Sequence, residues 1–383
     1  MSSGESTARV LGAPADRVRL DYLDGLRGLA ACYVALSHLA VALIFFSPDK
    51  VPLPGWLTRS LAVFNLAQAA VVVFIVLSGY CLMIPIVRAR GIVKGGFGGY
   101  IRRRATRILP PYYAALVISF VLIELSIRWG LRGDTQHRDP LVLLSHLLVV
   151  HNFSTAWYHE LDPPMWSVAV EWQIYFLLPF VLLPVWRRFG ALAATGAGIA
   201  LGFLPRLLFG AAWDFSCPWF IGLFGMGMLG ATLSFSDEAH HQRWAARVPW
   251  GLLSVVVGFA VIAFLLTHRG FYPDHEFIID PLLGLSTLGL LVSCTRRLRS
   301  GQPLPLAASV LGARPAVWLG DFSYSIYLAH YPLLVVGWHL LLRVQMSPVA
   351  RAGLLFGIGF PLLLGASYLF HLAFERRFMP GHK

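Results

Sequence analysis

Charged side chains are scarce in this chain of 383 residues: Asp, Glu, Lys and Arg together make up only 13% of it. In soluble domains these four residue types make up roughly 25% of the sequence. So little charge cannot supply the polar surface that a water-soluble protein of this length needs. Hydrophobic residues reach 57% instead, and apolar stretches of about 20 residues, each long enough to cross about 30 Å of hydrocarbon, recur from end to end. The fold class is therefore predicted to be an all-α polytopic membrane protein.

Cysteine is also rare, and the positions of the four cysteines argue against two classes of site. The four cysteines lie far apart within apolar stretches, at Cys32, Cys81, Cys217 and Cys294, which argues against a disulfide framework or a thiolate metal site. The histidines lack metal-ligand spacing, so no metal is expected.

The net charge is +12, but the basic residues form short clusters between apolar runs, as charges that fix membrane topology do. No nucleic-acid partner is expected.

Ten membrane spans are predicted, centred on residues 26–46, 62–86, 110–127, 165–185, 190–209, 216–234, 249–267, 277–294, 322–342 and 352–373. The distribution of arginines between alternate loops predicts that both termini are cytoplasmic. Residues 1–18 are polar and are predicted to form a disordered cytoplasmic tail, followed by a single transmembrane domain over residues 19–383. The apolar stretch Leu141–Val150 is too short to cross and is interpreted as an interfacial or re-entrant helix.

The first span contains two ionisable residues, Arg27 and His38. Eleven helical steps separate them by roughly 16 Å, which places Arg27 at the cytoplasmic headgroups and His38 near the bilayer midplane. A donor with an anionic head and a long arm, as coenzyme A has, could leave its phosphates at Arg27 and deliver its reactive end near His38. The structural alternative is a snorkelling arginine and a histidine that hydrogen-bonds between helices.

Two further arginines, Arg104 and Arg107, precede the third span. They lie at positions i and i+3, on one face of a helical turn, where two guanidinium groups can bind phosphates. An anchor that fixes topology is the alternative interpretation of this basic cluster.

Glu171 lies two turns inside an apolar helix that begins after Pro163 and Pro164. A carboxylate at this depth needs a partner. It could orient His38, pair with an arginine or hold the second substrate, and a structural salt bridge is the alternative. In the ninth span, Tyr324 and His330 are further polar candidates, although a histidine that only packs between helices remains open.

With these elements in place, the chain resembles the acyltransferase-3 family of membrane O-acyltransferases along almost its whole length. The matching motifs are Asp24-Gly25-Leu26-Arg27-Gly28 with His38, Phe74-Ile75-Val76-Leu77-Ser78-Gly79-Tyr80, Arg104-Ala105-Thr106-Arg107 with Pro110, Trp166-Ser167-Val168-Ala169-Val170-Glu171, Ser323-Tyr324-Ser325-Ile326-Tyr327-Leu328 with His330, and Phe374-Glu375-Arg376. One departure is Ala329, where the family usually has an aromatic residue. Each motif alone is weak, but their order and spacing together are specific.

The resemblance implies an acyl-coenzyme A donor, a catalytic role for His38, and donor binding by Arg27, Arg104 and Arg107. Some relatives carry an additional C-terminal hydrolase-like domain. The chain looks like the stand-alone members, which include macrolide-antibiotic O-acyltransferases and modifiers of polysaccharides.

These observations together predict an O-acyltransferase of a bacterial plasma membrane, with acyl-coenzyme A, expected to be acetyl-coenzyme A, as a substrate rather than a bound cofactor. The expected acceptor is a hydroxyl-bearing small molecule or glycan, first a macrolide and second a cell-surface polysaccharide or glycolipid. Neutral His38 is expected to take the hydroxyl proton, with Glu171 as the second catalytic candidate. The supporting candidates are Asp24, Ser37, Tyr324 and His330.

One other mechanism and two other classes of protein are considered at this point. Ser37 or Ser78 could act as a covalent nucleophile, although no Ser-His-acid arrangement is visible in the sequence. A proton-coupled transporter could also use an intramembrane His, Glu and Arg, but the inverted repeat typical of transporters is not found. A scaffold or receptor would not need these charged residues within apolar helices.

Overall fold

The computed structural model describes residues 20–46, 53–131, 133, 135–268 and 270–379. Over these residues the structure is helical and contains no strand, which confirms the predicted all-α fold. Helices are the expected solution for a chain that crosses hydrocarbon, because every backbone N–H and C=O must find a partner within its own segment. The predicted tail at residues 1–18 lies outside the described residues, and the orientation of the termini stays a prediction.

The α-helices, numbered α1 to α17 in chain order, are Asp21–Phe45, Gly55–Leu61, Ala67–Arg88, Gly96–Arg128, Pro140–Leu147, Thr155–Tyr158, Trp166–Leu177, Leu183–Phe209, Phe220–Phe235, Ala239–Arg247, Trp250–Thr267, Glu276–Arg299, Leu306–Ser309, Arg314–Asp321, Ser323–Leu342, Pro348–Leu354 and Phe360–Phe370. Single π-helical turns continue α7 into α8, over Leu178–Leu182, and α16 into α17, over Leu355–Gly359.

The ten predicted spans all coincide with helical segments. Eight helical runs are long and apolar enough to cross a membrane, or nine if α9 and α10, which meet at a bend of 106°, count as one span. One of the eight runs, Pro163–Ser216, has 54 residues and would be about 80 Å long as a straight helix. It is interrupted at Gly190, where φ is 87° and ψ is 177°, a conformation that glycine enters readily. The two predicted spans at 165–185 and 190–209 lie on either side of this break.

The short segment before α7, predicted to be re-entrant or interfacial, forms only a short helix, and its position in the membrane stays a prediction. Helix α5 has only 8 residues, and its outward leucines, Leu141 and Leu144, are more than half exposed. On its inner side, the rings of His146 and His151 stack with their centroids 4.1 Å apart. Burial lowers the pKa of His146 to about 4 and holds the pKa of His151 well below its usual value. Both rings are therefore neutral near pH 7, which allows them to stack.

Glycines set the closest helix contacts in the bundle. A Cβ at Gly79 of α3 would collide with the carbonyl oxygen of Phe224 on α9, and one at Gly227 of α9 would collide with the carbonyl oxygen of Val76. Small residues let helix backbones approach closely within a membrane, where apolar side chains gain nothing by leaving lipid for a neighbouring helix. The position of α3, which lines both cavities described below, depends on these glycines.

We expect Gly79→Ala to lower the free energy of unfolding by about 1–3 kcal/mol, because the added methyl group overpacks the α3–α9 contact. Thermal unfolding of the purified protein in detergent measures this change. Gly337→Ala on α15 is the matched control, since no atom lies within 4 Å of its added Cβ. Equal midpoints for the two variants would contradict the proposed role of Gly79.

Candidate functional site

Five helices, α1, α3, α4, α7 and α15, enclose a cavity that we call the arginine cavity. Its empty volume is about 900 Å³, including the part open to the outside. It is lined by Arg27, Val71, Phe74, Ile75, Leu77, Ser78, Cys81, Leu82, Arg104, Arg107, Ile108, Ser167, Val168, Glu171, Tyr175, Ser323, Tyr324 and Tyr327. The structure thus brings together four residues singled out in three separate motifs, the three arginines and Glu171.

Two of the three arginines have no hydrogen-bond or ion-pair partner in the part of the chain that the structure describes. Arg27 donates from Nη1 to Asp24 Oδ1 at 3.1 Å and from Nη2 to Cys81 Sγ at 3.7 Å. Arg104 and Arg107 form no hydrogen bond or ion pair with the residues that the structure describes, and Arg104 Nε is buried. Guanidinium groups that are partly buried and unpaired are costly unless a ligand satisfies them. With three guanidinium groups and one carboxylate, the lining of the cavity carries an excess of positive charge.

The local sequence of α4 explains how its arginines are presented. Pro110 and Pro111 lie inside the helix and lack the N–H that would otherwise bond the carbonyl groups of Thr106 and Arg107. Just beyond, the Tyr324 hydroxyl of α15 donates to the carbonyl oxygen of Ile108 at 3.1 Å. This bond attaches α15 to α4 beside the arginines and gives Tyr324 a positioning role.

Glu171 is held by a chain of hydroxyl groups. The Tyr175 hydroxyl donates to Glu171 Oε1 at 2.5 Å and lies 2.9 Å from Ser78 Oγ. Since Tyr175 gives its only proton to the carboxylate, Ser78 must donate to the Tyr175 oxygen. Glu171 is also within electrostatic reach of Arg27, but the described residues include no direct ion pair of Glu171 with an arginine. Ser78 is engaged in this chain and is not paired with a base that would activate it as a nucleophile.

His38 lies in a second cavity, which we call the histidine cavity. Its empty volume is about 420 Å³. It is lined by Val34, His38, Ala67, Gln68, Val71, His159, Pro163, Pro164, Trp166 and Tyr327. Its walls come from α1, α3, α15 and the segment that leads into α7, and they combine apolar surface with the polar side chains of His38, Gln68 and His159.

The hydrogen bonds of His330 determine which nitrogen of His38 carries the proton. His330 Nδ1 lies 2.7 Å from the carbonyl oxygen of Tyr327 and 3.1 Å from that of Ile326. A carbonyl oxygen only accepts, so His330 Nδ1 is protonated, and in a neutral ring its Nε2 must accept. His330 Nε2 lies 3.0 Å from His38 Nδ1, so His38 donates from Nδ1. When both rings are neutral, His38 Nε2 is therefore unprotonated. This nitrogen has no partner among the residues that the structure describes.

Only Val71 and Tyr327 line both cavities. The Tyr327 hydroxyl donates to the carbonyl oxygen of Pro164 at 2.8 Å and lies 2.6 Å from Ser167 Oγ. These bonds fix the tyrosine between the arginines on one side and His38 on the other. The cavities are thus adjacent and are separated by two side chains.

The structure separates some residues that sequence reasoning grouped together. Glu171 lines the arginine cavity and not the histidine cavity. It therefore does not orient His38 directly, which was one of the roles that the sequence left open. That position is taken by His330. Ser37 Oγ is buried without a partner in the part of the chain that the structure describes, and the hydrogen bonds of His38 and His330 include no serine.

Two contributors to the arginine cavity were missed from the sequence. Tyr175 lies four residues after Glu171, the spacing at which side chains meet on a helix, so the pattern could have revealed it. Cys81 directly follows the motif that ends at Tyr80, but nothing in the sequence places its sulfur beside Arg27.

One group of side chains has the composition of a metal site. The ligand atoms of Glu238, His240 and His241 lie within 4.8 Å of one another at the start of α10. Glu238 and His240 are exposed, and none of the three lines either cavity. The expectation that the chemistry needs no metal stays a prediction.

Comparisons with known proteins extend over nearly the whole chain. Residues 20–372 match a family model described as an acyltransferase domain. The acyltransferase MdmB of Streptomyces mycarofaciens is 30% identical over 85% of this chain and 81% of its own length. The peptidoglycan O-acetyltransferase OatA of Listeria monocytogenes is 25% identical over 82% of this chain and 49% of its own length. An O-acetyltransferase OatA of Staphylococcus aureus is 24% identical over 82% of this chain and 50% of its own length.

The chain therefore spans about half the length of the OatA relatives that it matches. No solved structure is significantly similar to it. The apolar helices and the membrane acyltransferases among these relatives support a multi-pass membrane protein, and a bacterial plasma membrane fits the relatives.

We expect Tyr175→Phe to destabilise the protein by about 1–3 kcal/mol, because Glu171 loses its hydroxyl donor within the cavity. Thermal unfolding in detergent tests this expectation. Tyr113→Phe is the control: its hydroxyl donates to the carbonyl oxygen of Leu147 at the exposed edge of the bundle, and Tyr113 lines neither cavity. If Tyr113→Phe destabilises as much as Tyr175→Phe, the Ser78–Tyr175–Glu171 chain has no special importance.

Proposed function

This chain belongs to the acyltransferase family whose model it matches, and we propose that it is a membrane O-acyltransferase that transfers an acyl group from acyl-coenzyme A to a hydroxyl group of its acceptor. One observation carries the proposal: the cavity with two unpaired arginines shares a wall with the cavity of a histidine whose Nε2 is free to accept a proton. An anionic donor and a general base are the two requirements of acyl transfer from a thioester to an alcohol.

The donor is proposed to bind in the arginine cavity. Three guanidinium groups and one carboxylate line it, so its lining carries an excess of positive charge suited to the phosphates of coenzyme A. Arg104 and Arg107 offer donors that no protein group uses, while Asp24 holds Arg27 in place. The pantetheine arm would then extend toward Val71 and Tyr327, where the thioester approaches the histidine cavity.

The acceptor is proposed to bind on the other side of this wall, beside His38. Its hydroxyl proton passes to His38 Nε2 as the oxygen attacks the thioester carbonyl carbon. The tetrahedral intermediate collapses, the C–S bond breaks, and the imidazolium of His38 returns the proton to the coenzyme A thiolate. Throughout this sequence His38 Nδ1 donates to His330 Nε2, which holds the ring with its basic nitrogen available, as the third residue of a catalytic triad does.

Glu171 is proposed to act on the donor side of the site. It lies among the arginines, and its charge is stabilised by the Tyr175 hydroxyl. By attracting Arg27 from within the cavity, it keeps the guanidinium group directed at the space for the donor. This makes Glu171 a positioning residue for the arginines rather than a partner of His38.

A macrolide is our first proposal for the acceptor, and a cell-surface polysaccharide or glycolipid is the second. The macrolide acyltransferase MdmB supports the first, since the match covers 81% of its length at 30% identity. The peptidoglycan O-acetyltransferase of Listeria monocytogenes supports the second, at 25% identity. Incubation of the purified protein with acetyl-coenzyme A and each acceptor, followed by mass spectrometry of the products, tests both. No acetylated product from either acceptor would contradict the proposed function.

We expect His38→Ala to lower the rate of acyl transfer by about 10²–10⁴-fold, the range for loss of a general base. Binding of acetyl-coenzyme A should remain, because the arginine cavity is untouched. The assay follows acylated product, since a transporter would also lose function when this residue is replaced. His339→Ala on α15 is the control: its ring bonds only the carbonyl oxygen of Val335 and lines neither cavity. Product formation by His38→Ala at the wild-type rate would exclude His38 as the base.

We expect Arg107→Ala to raise the KM for acetyl-coenzyme A much more than the KM for the acceptor, because an unpaired guanidinium group of the donor cavity is removed. Arg107→Lys should restore binding only in part, since an ammonium group cannot form the bidentate contact. Arg102→Ala serves as the control, because Arg102 is exposed on the same helix and does not line the cavity. An unchanged donor KM in Arg107→Ala would remove this residue from the donor site.

A further inference from the structure

The histidine cavity contains a second hydrogen-bond acceptor besides His38 Nε2. Gln68, near the start of α3, lines this cavity together with His38. Its amide nitrogen Nε2 lies 3.2 Å from Asp280 Oδ2 and 3.5 Å from Cys217 Sγ. Its amide oxygen Oε1 has no partner among the residues that the structure describes.

The environment of Asp280 fixes which end of the amide faces the cavity. Asp280, on α12, is fully buried. Its Oδ2 also accepts from Trp219 Nε1 at 2.9 Å, and its Oδ1 accepts from the Tyr272 hydroxyl at 2.7 Å. An indole N–H only donates, so the carboxylate is an acceptor there, and the group of Gln68 that faces it must be the NH₂ group. The carbonyl oxygen is therefore the end left for a ligand.

We propose that Gln68 is an acceptor-binding residue and that the acceptor carries a second hydroxyl group near the one that is acylated. This inference rests on the proposed function. One hydroxyl donates to His38 Nε2 and is activated, and the other donates to Gln68 Oε1 and is only held. The network of Asp280, Trp219 and Tyr272 keeps the Gln68 amide in this orientation, so these three are positioning residues.

The rest of the cavity lining defines the scaffold that bears the two hydroxyl groups. Trp166, Pro163 and Pro164 offer flat apolar surface, which suits the C–H face of a ring. A cavity that combines apolar surface with a few convergent polar groups is typical of a small-molecule site. The shared chemistry is a ring with one apolar face and two neighbouring hydroxyl groups, which both a sugar unit of a glycan and a hydroxylated macrocycle provide.

The test uses two acceptor probes, a macrolide with free hydroxyl groups and a disaccharide fragment of peptidoglycan, each with acetyl-coenzyme A. For the probe that is acetylated, analogues in which one neighbouring hydroxyl at a time is replaced by hydrogen are compared with the parent. We expect one analogue to lose about 10–100-fold in kcat/KM with the wild-type protein, because Gln68 Oε1 is then left without a donor. Which probe reacts distinguishes the macrocycle from the glycan.

The variant Gln68→Met then assigns this preference to the amide, because methionine has a similar length and no strong hydrogen-bonding group. We expect it to acetylate the parent and the sensitive analogue equally well, while the KM for acetyl-coenzyme A stays at the wild-type value. Asp280→Asn should weaken the preference as well, because an amide at this position can also donate and no longer fixes the orientation of Gln68. Gln173→Met is the matched control, since the Gln173 amide bonds Asn152 and lines neither cavity. It should retain the wild-type preference.

Three results would overturn the inference. First, if the wild-type protein acetylates every single-deoxy analogue with the same kcat/KM as the parent, it makes no contact with a second hydroxyl group. This comparison uses only the wild-type protein, so it does not depend on whether a variant folds. A full preference retained in Gln68→Met would place the contact elsewhere. In both cases acetylated product still forms, so the proposed function stands, whereas no product from any acceptor would overturn the function and this inference together.

Discussion

The unpaired guanidinium groups of Arg104 and Arg107 are the feature on which the interpretation of this structure depends. A charge removed from water needs compensation, and elsewhere the bundle provides it. Asp280 receives three neutral donors, and Glu171 receives a tyrosine hydroxyl. No acceptor among the described residues bonds either of these two guanidinium groups, although both line the arginine cavity. In the proposed reaction, the phosphates of the donor supply the missing acceptors.

A single helix connects the two halves of the proposed chemistry. Helix α1 carries Arg27 toward one cavity and His38 toward the other, about 16 Å apart along its axis. A rigid element of this kind fixes the distance between the charged head of a donor and the base, so the length of the donor's arm is matched to the helix rather than to flexible loops. The bond from His38 to His330 then joins α1 to α15 and fixes the ring.

The division into two cavities also separates recognition of the donor from recognition of the acceptor. The arginine cavity is lined by charged groups, whereas the histidine cavity offers the acceptor atoms His38 Nε2 and Gln68 Oε1 beside apolar surface, so in the proposed reaction each suits a different substrate. Tyr327, bonded to Pro164 and Ser167, lies at the wall where the thioester meets the hydroxyl in that reaction. A site shielded in this way favours attack by the bound alcohol over attack by water.

The sequence by itself determined the all-α membrane fold, the helical segments and the identity of most charged residues of the site. These follow from local rules, since long apolar runs must be helical in hydrocarbon, and charges within such runs are costly enough to mark function. It also predicted that Arg104 and Arg107 share a face, which is a property of one helical turn.

Only the tertiary structure decided which helices meet and therefore which residues pair. The sequence left open whether His330 belongs to the site or only packs between helices, and the structure shows that it bonds His38 across 292 positions of sequence. Glu171 lines the cavity of the arginines and not that of His38. The Asp280–Gln68 contact spans 212 positions and was not foreseen. Such contacts depend on how α1, α3, α12 and α15 pack, and that packing is set by close approaches at residues such as Gly79 and Gly227. A hydropathy pattern records that a residue lies within a span, but the partner of its side chain is fixed by which helix lies opposite.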